Sequence, residues 1–271
     1  MRPAMGTLVE VRAHGPEGEV QAAVEAALRA VERIDRLMSF HDPDSDLSRL
    51  NREAVAAPQA VHPWTFEVLR RALRISAASG GLFDATVAPL LVNEGLLPGP
   101  AGGSHRHGDW KHVALLSGCR VSFERRLLLD LGGIAKGYAI DRAVHVLREG
   151  GCTGGMVNAG GDLRRFGPGT EPIHLRRRDS LVEVAELRHG AIATSTPFAA
   201  REGRIAQPLG SIFDPHDGAP WKGGGAVMVA APTCVVADAL TKVAALAGPA
   251  CSPLLALHGA RGYWDTEGSD E

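Results

Sequence analysis

From residue 7 the chain alternates: in "TLVEVRA", Val9 and Val11 stand against Glu10 and Arg12, a period of two that predicts a half-buried strand. The period then lengthens. Across residues 18–38, Val20, Val24, Ala27, Leu28, Val31, Ile34 and Met38 recur at steps of three and four, so a helix there carries an apolar face along its length. Residues 65–79 repeat the pattern with Phe66, Leu69, Leu73 and Ser76, and stop at Gly80-Gly81, where a left-handed residue can close a helix. "GPAGGSHRHGD" breaks the periodicity as a loop. "HVALL", the Ser117-Gly118 pair and "CRVSF" predict a hairpin, and "LLLDL" a further strand. In the helix that follows, Ile140, Val144 and Leu147 share a face and Gly150-Gly151 ends it. Short strands are expected near 155–158, 173–176, 181–187, 191–195 and 226–231, then a helix over 236–247 and a last strand "LLALHG". Sequential hairpins with helices between them predict an α+β fold of antiparallel sheets covered by helices. No linker, repeat or low-complexity tract divides residues 1–271, so one domain is expected.

Composition narrows the function classes. The 271 residues carry a formal net charge of −2, which leaves no electrostatic footprint for nucleic acid or an anionic membrane surface. The Arg176-Arg177-Arg178 run is read as a solvated turn. Nearly all basic residues are arginine; the lysines are Lys111, Lys136, Lys222 and Lys242. Cys119, Cys152, Cys234 and Cys251 are scattered without Cys-x-x-Cys spacing and read as buried free thiols. No stretch has the apolar length of a membrane span, and the start lacks the layout of a signal peptide, so the chain as written is expected to be cytoplasmic, or periplasmic if a leader has been removed.

The stretch "LLLDLGGIAKGYAIDRAVHVLREGG" runs a strand through Gly132 and Gly133 into a helix with Lys136 in its opening turn. Free N–H groups at a helix start, glycines that allow close approach and a nearby ammonium suit a phosphate or pyrophosphate. The spacing matches neither a Walker A loop nor the dinucleotide fingerprint. Other stretches also set an acid or hydroxyl among small residues at an element end: "SGGLFDATVAPL" with Asp84 and Thr86, "MVNAGGDL" with Asp162, "AIATS" with Thr194 and Ser195, "IFDPHDG" with Asp214, and "VVADALTK" with Asp238. One such acid is commonly a helix cap; the whole set points to a shared site. The histidines of "SHRHGDWKH" have no further ligand at a metal-like spacing and read as a solvated loop.

"MGT" at 5–7, "MSFHDPDSDLSRLN" at 38–51, "GLFDATVAPL", "DLGGIAKGYAIDRA", "NAGGD", "AIATS", "DPHDG" and "ADALTK" resemble, in order and over nearly the whole chain, the ApbE family of FAD:protein FMN transferases. The resemblance implies a T-fold-related α+β architecture, with FAD and Mg2+ as ligands. It implies transfer of FMN to a threonine hydroxyl of an acceptor subunit in a membrane redox complex, with AMP leaving. Carried over by position, Met5 lies at the flavin, and Leu82, Phe83 and Asp84 at the adenosine side. Gly133 offers a carbonyl to the metal, Lys136 contacts FAD, Thr194 lines the site and Asp238 binds the metal. The anion at Gly133 and Lys136 would then be the FAD pyrophosphate.

Three positions depart from the family pattern. Transferases carry a histidine, the implied base for the acceptor threonine, three residues before the Asp-Pro turn, and here that position is Ser211. A serine is no base near neutral pH, which removes an acid–base contribution of roughly 10²–10⁴; His216, beyond Asp214, is read as a surface-turn histidine. The family's metal-binding threonine at i+4 from the aspartate is replaced by Lys242, with Thr241 at i+3. Either the metal shifts to Asp238 and Thr241, or the Lys242 ammonium takes over part of the cation's role. His41 replaces an aromatic and implies weaker stacking on the flavin. Beside the transferase reading stand two others: a non-catalytic FAD-binding protein and an FAD pyrophosphatase.

Overall fold

The computed structural model describes residues 1–99, 107, 109–177, 180–196, 212–223 and 225–265. The chain opens with β1 (Arg2–Ala4), β2 (Thr7–His14), α1 (Val20–Met38), α2 (Asp46–Glu53), β3 (Gln59–Ala60), α3 (Pro63–Ala78) and α4 (Ala88–Asn93). It continues with β4 (Val113–Leu116), β5 (Arg120–Phe123), α5 (Ala135–Glu149), β6 (Gly154–Ala159), β7 (Asp162–Phe166), β8 (Glu171–Arg177), β9 (Ser180–Leu187) and β10 (Gly190–Ser195). It closes with β11 (Val227–Ala231), α6 (Cys234–Ala247), α7 (Ser252–Leu257) and β12 (Arg261–Trp264).

Seven strands form one antiparallel sheet in the order β1-β2-β6-β7-β10-β11-β12. Three helices cover one face in matching order, with α1 over β2, α5 over β6 and β7, and α6 over β10 and β11. The other face receives Ile173 and Leu187 from the β8–β9 hairpin, which pack with Met156, Leu163 and Ile192. Because both faces are covered, β6 is buried at nearly every position and shows no alternation. The fold is α+β, as expected.

Several local expectations need correction. "LLLDL" is largely buried, yet it joins no sheet: Leu129 exchanges both backbone hydrogen bonds with the Asn51 side-chain amide, and the Asp130 N–H donates to the Ala85 carbonyl. A side chain thus does the work of a neighbouring strand. "LLALHG" is mostly helical as α7, with Pro253 in its first turn and Gly259 (φ 63°) just past its end, and the last strand falls later, at β12. Short apolar runs do not separate the two states by periodicity. Arg176 and Arg177 end β8 instead of forming a turn, while Arg178 lies outside the described residues, as does most of the 99–109 loop. Cys152, Cys234 and Cys251 are buried free thiols, whereas Cys119 is half-buried.

Among the described residues, Cys234–Leu257 alone is apolar and long enough on composition to cross a membrane. It is broken at Gly248 (φ 58°) before Pro249, and its first part is the core helix α6.

Helices α5 and α6 approach closely at Gly137, where an added Cβ would lie 2.3 Å from the Cys234 carbonyl oxygen and 2.8 Å from the Asp238 Cβ. Backbone cannot yield there, so Gly137→Ala must push α5 away from α6. We expect a stability loss of at least about 2 kcal/mol, against the small gain in helix propensity. Urea denaturation at neutral pH checks this, and an unchanged midpoint would contradict the close crossing.

Candidate functional site

The site begins at the crossing of α5 and α6, where each helix supplies an acid to the other's open end. The first N–H groups of a helix have no partner within it. Asp238 of α6 accepts from the Gly137 N–H at 2.9 Å, and Asp141 of α5 accepts from the Cys234 and Val235 N–H groups, both at 2.9 Å. Arg164 pairs with Asp141 at 2.7 Å.

On the cavity side of this crossing sits a cluster of two ammonium and two carboxylate groups. Lys242 Nζ donates to Asp238 Oδ1 at 2.5 Å and to its carbonyl at 3.0 Å. Lys136 Nζ lies 2.6 Å from Asp162 Oδ2. The β6–β7 turn places that aspartate: Gly160 and Gly161 take φ of 63° and 98°, the Asn158 side chain accepts from the Gly161 N–H, and Asp162 Oδ1 accepts from the Thr194 N–H at 3.0 Å. Burial disfavours the charge on Asp238, but Lys242, Lys136 and the Gly137 N–H outweigh it and hold the carboxyl below the usual range. For Asp162, burial and the negative Asp238 nearby win over its lysine partner and push the carboxyl up. Lys136 is raised above an ordinary lysine because Asp162 and Asp238 more than offset its burial.

Above this cluster opens a cavity of about 530 Å³. Met5, His41, Leu82, Phe83, Asp84, Gly133, Lys136, Thr194 and Lys242 all line it, from segments spread over most of the chain. Met5 is held at φ 55° in the β1–β2 turn, its N–H donating to Asp35 Oδ2 at 2.9 Å. Asp84 accepts from the Thr86 N–H and hydroxyl and from the Trp110 N–H, yet burial still raises its carboxyl. Asp238 and Thr241 sit behind the wall, fully buried. Asp214 forms the adjoining turn and accepts from the His216 N–H, while Ser211 lies outside the described residues.

Two expectations change. The backbone at the start of α5 is only partly open: the Gly132, Ile134, Ala135 and Gly137 N–H groups donate to Asp130, Leu131, Leu131 and Asp238, which leaves those of Gly133 and Lys136. Full positive charge for an anion comes from side chains. Nor do the Asp238 and Thr241 oxygens stand open to a metal. Each Asp238 carboxylate oxygen already has a donor, and the Thr241 hydroxyl is held between the Ser195 hydroxyl at 2.8 Å and the Asp238 carbonyl at 2.7 Å. No group of three His, Cys, Asp or Glu side chains suited to a metal occurs among the described residues. His216 has both ring nitrogens facing oxygens, Asp214 Oδ1 at 3.0 Å and the Gly80 carbonyl at 3.1 Å, so its ring is tied within the turn.

Sequence reasoning missed Asp35 and Asp130, which line the cavity, and did not foresee that the Ser195 hydroxyl ties Thr241. Asp130 stands two residues before the Gly132-Gly133 pair in "DLGG", a local signal for a site residue; Asp35, within α1, carries none.

Residues 5–260 match the ApbE family model. A FAD:protein FMN transferase from Vibrio cholerae is 26% identical over 262 residues, 88% of this chain and 78% of that protein. One from Salmonella typhimurium is 25% identical over 258 residues, 86% and 74% of the two chains. Among solved structures, the ApbE protein of Thermotoga maritima superposes with a TM-score of 0.83 at 27% identity, covering 99% of this chain and 94% of that one.

Replacing Lys136 with methionine removes the partner of a buried carboxylate. The expected cost is about 3–5 kcal/mol near neutral pH. Without Lys136 the already raised Asp162 rises further, and a group raised on folding contributes stability below its unfolded value that is lost as pH climbs through the folded one. The deficit of Lys136→Met should therefore shrink as pH falls from about 7 toward about 4.5, which urea denaturation at the two values measures.

Proposed function

The chain belongs to the ApbE family, and from that membership we propose that it binds FAD in the cavity and transfers FMN to a threonine hydroxyl of an acceptor protein, releasing AMP. The observation that carries this reading is convergence. Nine residues from six segments, Met5 through Lys242, meet at one cavity of about 530 Å³ whose floor carries two ammonium groups. That size is in the range of small-molecule sites.

In this reading the FAD pyrophosphate faces Lys136 and Lys242. The acceptor hydroxyl oxygen bonds to the FMN phosphorus and releases its proton to solvent, the phosphoanhydride bond breaks, and AMP leaves with the bridging oxygen. Fixed ammonium groups stabilise the negative charge growing on the leaving phosphate, with little reorganisation because Asp162 and Asp238 already hold them. Met5 and the wall around Phe83 and Leu82 enclose the remainder of the ligand. The acceptor is proposed to be a subunit of a membrane redox complex. No step is assigned to magnesium, since its proposed oxygens are engaged.

The test is to incubate the protein with FAD and a peptide bearing an acceptor threonine, following the FMN adduct by mass spectrometry and AMP by chromatography. Adduct and AMP together, dependent on peptide, are the expected result. AMP without peptide would make the protein a pyrophosphatase, and retained FAD with no AMP a binder. Because Ser211 stands where the resemblance places the base, Ser211→His should accelerate adduct formation by roughly 10²-fold or more. An unchanged rate would mean that proton removal does not limit transfer.

A further inference from the structure

The four charged groups on the cavity floor are layered by sign. Lys136 and Lys242 retain 25% and 22% of their side-chain exposure, while their partners Asp162 and Asp238 retain 2% and 0%. The cluster sums to zero, yet only its cations reach the cavity. Lys242 is also placed where the resemblance puts a metal ion. Its Cε lies 3.5 Å from the position a Gly133 Cβ would take, with Phe83 at 3.4 Å from the same point, and its Nζ lies 2.5 Å from Asp238 Oδ1. The ammonium thus occupies the Asp238 carboxylate, with the lysine stem beside Gly133. Asp238 and Lys242 are one helical turn apart on α6, so no loop movement is needed to hold it there. The Thr241 hydroxyl is turned away, closed between Ser195 and the Asp238 carbonyl.

We infer that the Lys242 ammonium is a built-in cation in the divalent-metal position, so that this protein binds its pyrophosphate ligand at Lys242 and Lys136 without magnesium and holds no divalent ion on Asp238. A divalent ion there would meet an ammonium on the same carboxylate, and like charges at contact distance repel strongly inside a protein. The choice of FAD as the anion rests on the function proposed above; the exclusion of the metal does not.

Two measurements on the purified protein test this. Mn2+ is titrated and followed by electron paramagnetic resonance for the wild type, Lys242→Thr and Asp238→Asn. FAD affinity is measured by fluorescence in EDTA and in excess magnesium. The wild type should show no stoichiometric Mn2+ site and the same FAD affinity in both buffers. Lys242→Thr should gain one Mn2+ site, and its FAD affinity, reduced roughly tenfold or more in EDTA, should recover with magnesium. Lys242→Met keeps the stem against Gly133 and Phe83, and it should lose a similar factor in EDTA with no recovery. A Mn2+ site in the wild type that Asp238→Asn abolishes, or FAD binding that requires magnesium, overturns the inference. So does a folded Lys242→Met with unchanged affinity in EDTA. If the wild type binds no FAD in either buffer, the flavin reading fails by itself; the Mn2+ titration still decides the metal question, and inorganic pyrophosphate then serves as the anion, its failure to bind overturning the inference.

Discussion

Two aspartates exchanged between two helices hold this structure together. Asp238 of α6 serves the open N–H of Gly137, and Asp141 of α5 serves the open N–H groups of Cys234 and Val235. The exchange demands a close crossing, and only a residue without a side chain permits it at Gly137. It also commits two negative charges to the interior, which must be answered by positive ones. Arg164 answers Asp141, and Lys242 with Lys136 answers Asp238. The cations of the cavity floor are thus a consequence of how the helices are capped.

The same constraint explains why binding capacity lies in side chains. In a site built on a bare helix start, backbone N–H groups and the helix dipole attract the anion. Here the opening N–H groups of α5 are largely answered by Asp130, Leu131 and Asp238. What faces the cavity is a pair of partly exposed ammonium groups backed by buried carboxylates. Such an arrangement is preorganised: the lysines are already ordered, so little freedom is lost when an anion arrives. The sheet contributes by delivering Asp162 and Thr194 from adjacent strands, β7 and β10, which pair antiparallel.

Long periodic segments are legible in the amino-acid order alone. The apolar stripe from Val20 to Met38 is α1, the glycine pairs at 80–81 and 150–151 end helices, and the small-residue stretches with single acids do gather at the cavity or directly behind it. Segments whose backbone partners lie far away in sequence are not legible in this way. "LLLDL" has strand composition but finds its hydrogen bonds in Asn51 and Ala85, and β1 and β12 are too short for a period to show.

By itself the sequence determined the chemistry available: which acids, hydroxyls and scarce lysines exist, in what order, and that Lys242 stands one turn after Asp238. Those facts follow from local spacing, and helical geometry converts spacing into a shared face. Only the tertiary structure set where the ammonium of that lysine and the oxygens of Asp238 go. Whether Asp238 turns its oxygens to an ion or to an ammonium and a backbone N–H depends on Gly137, 101 residues away, and on Thr241 being drawn to Ser195, 46 residues away. Hydrogen bonds of that separation are set by packing, which no window of the sequence contains.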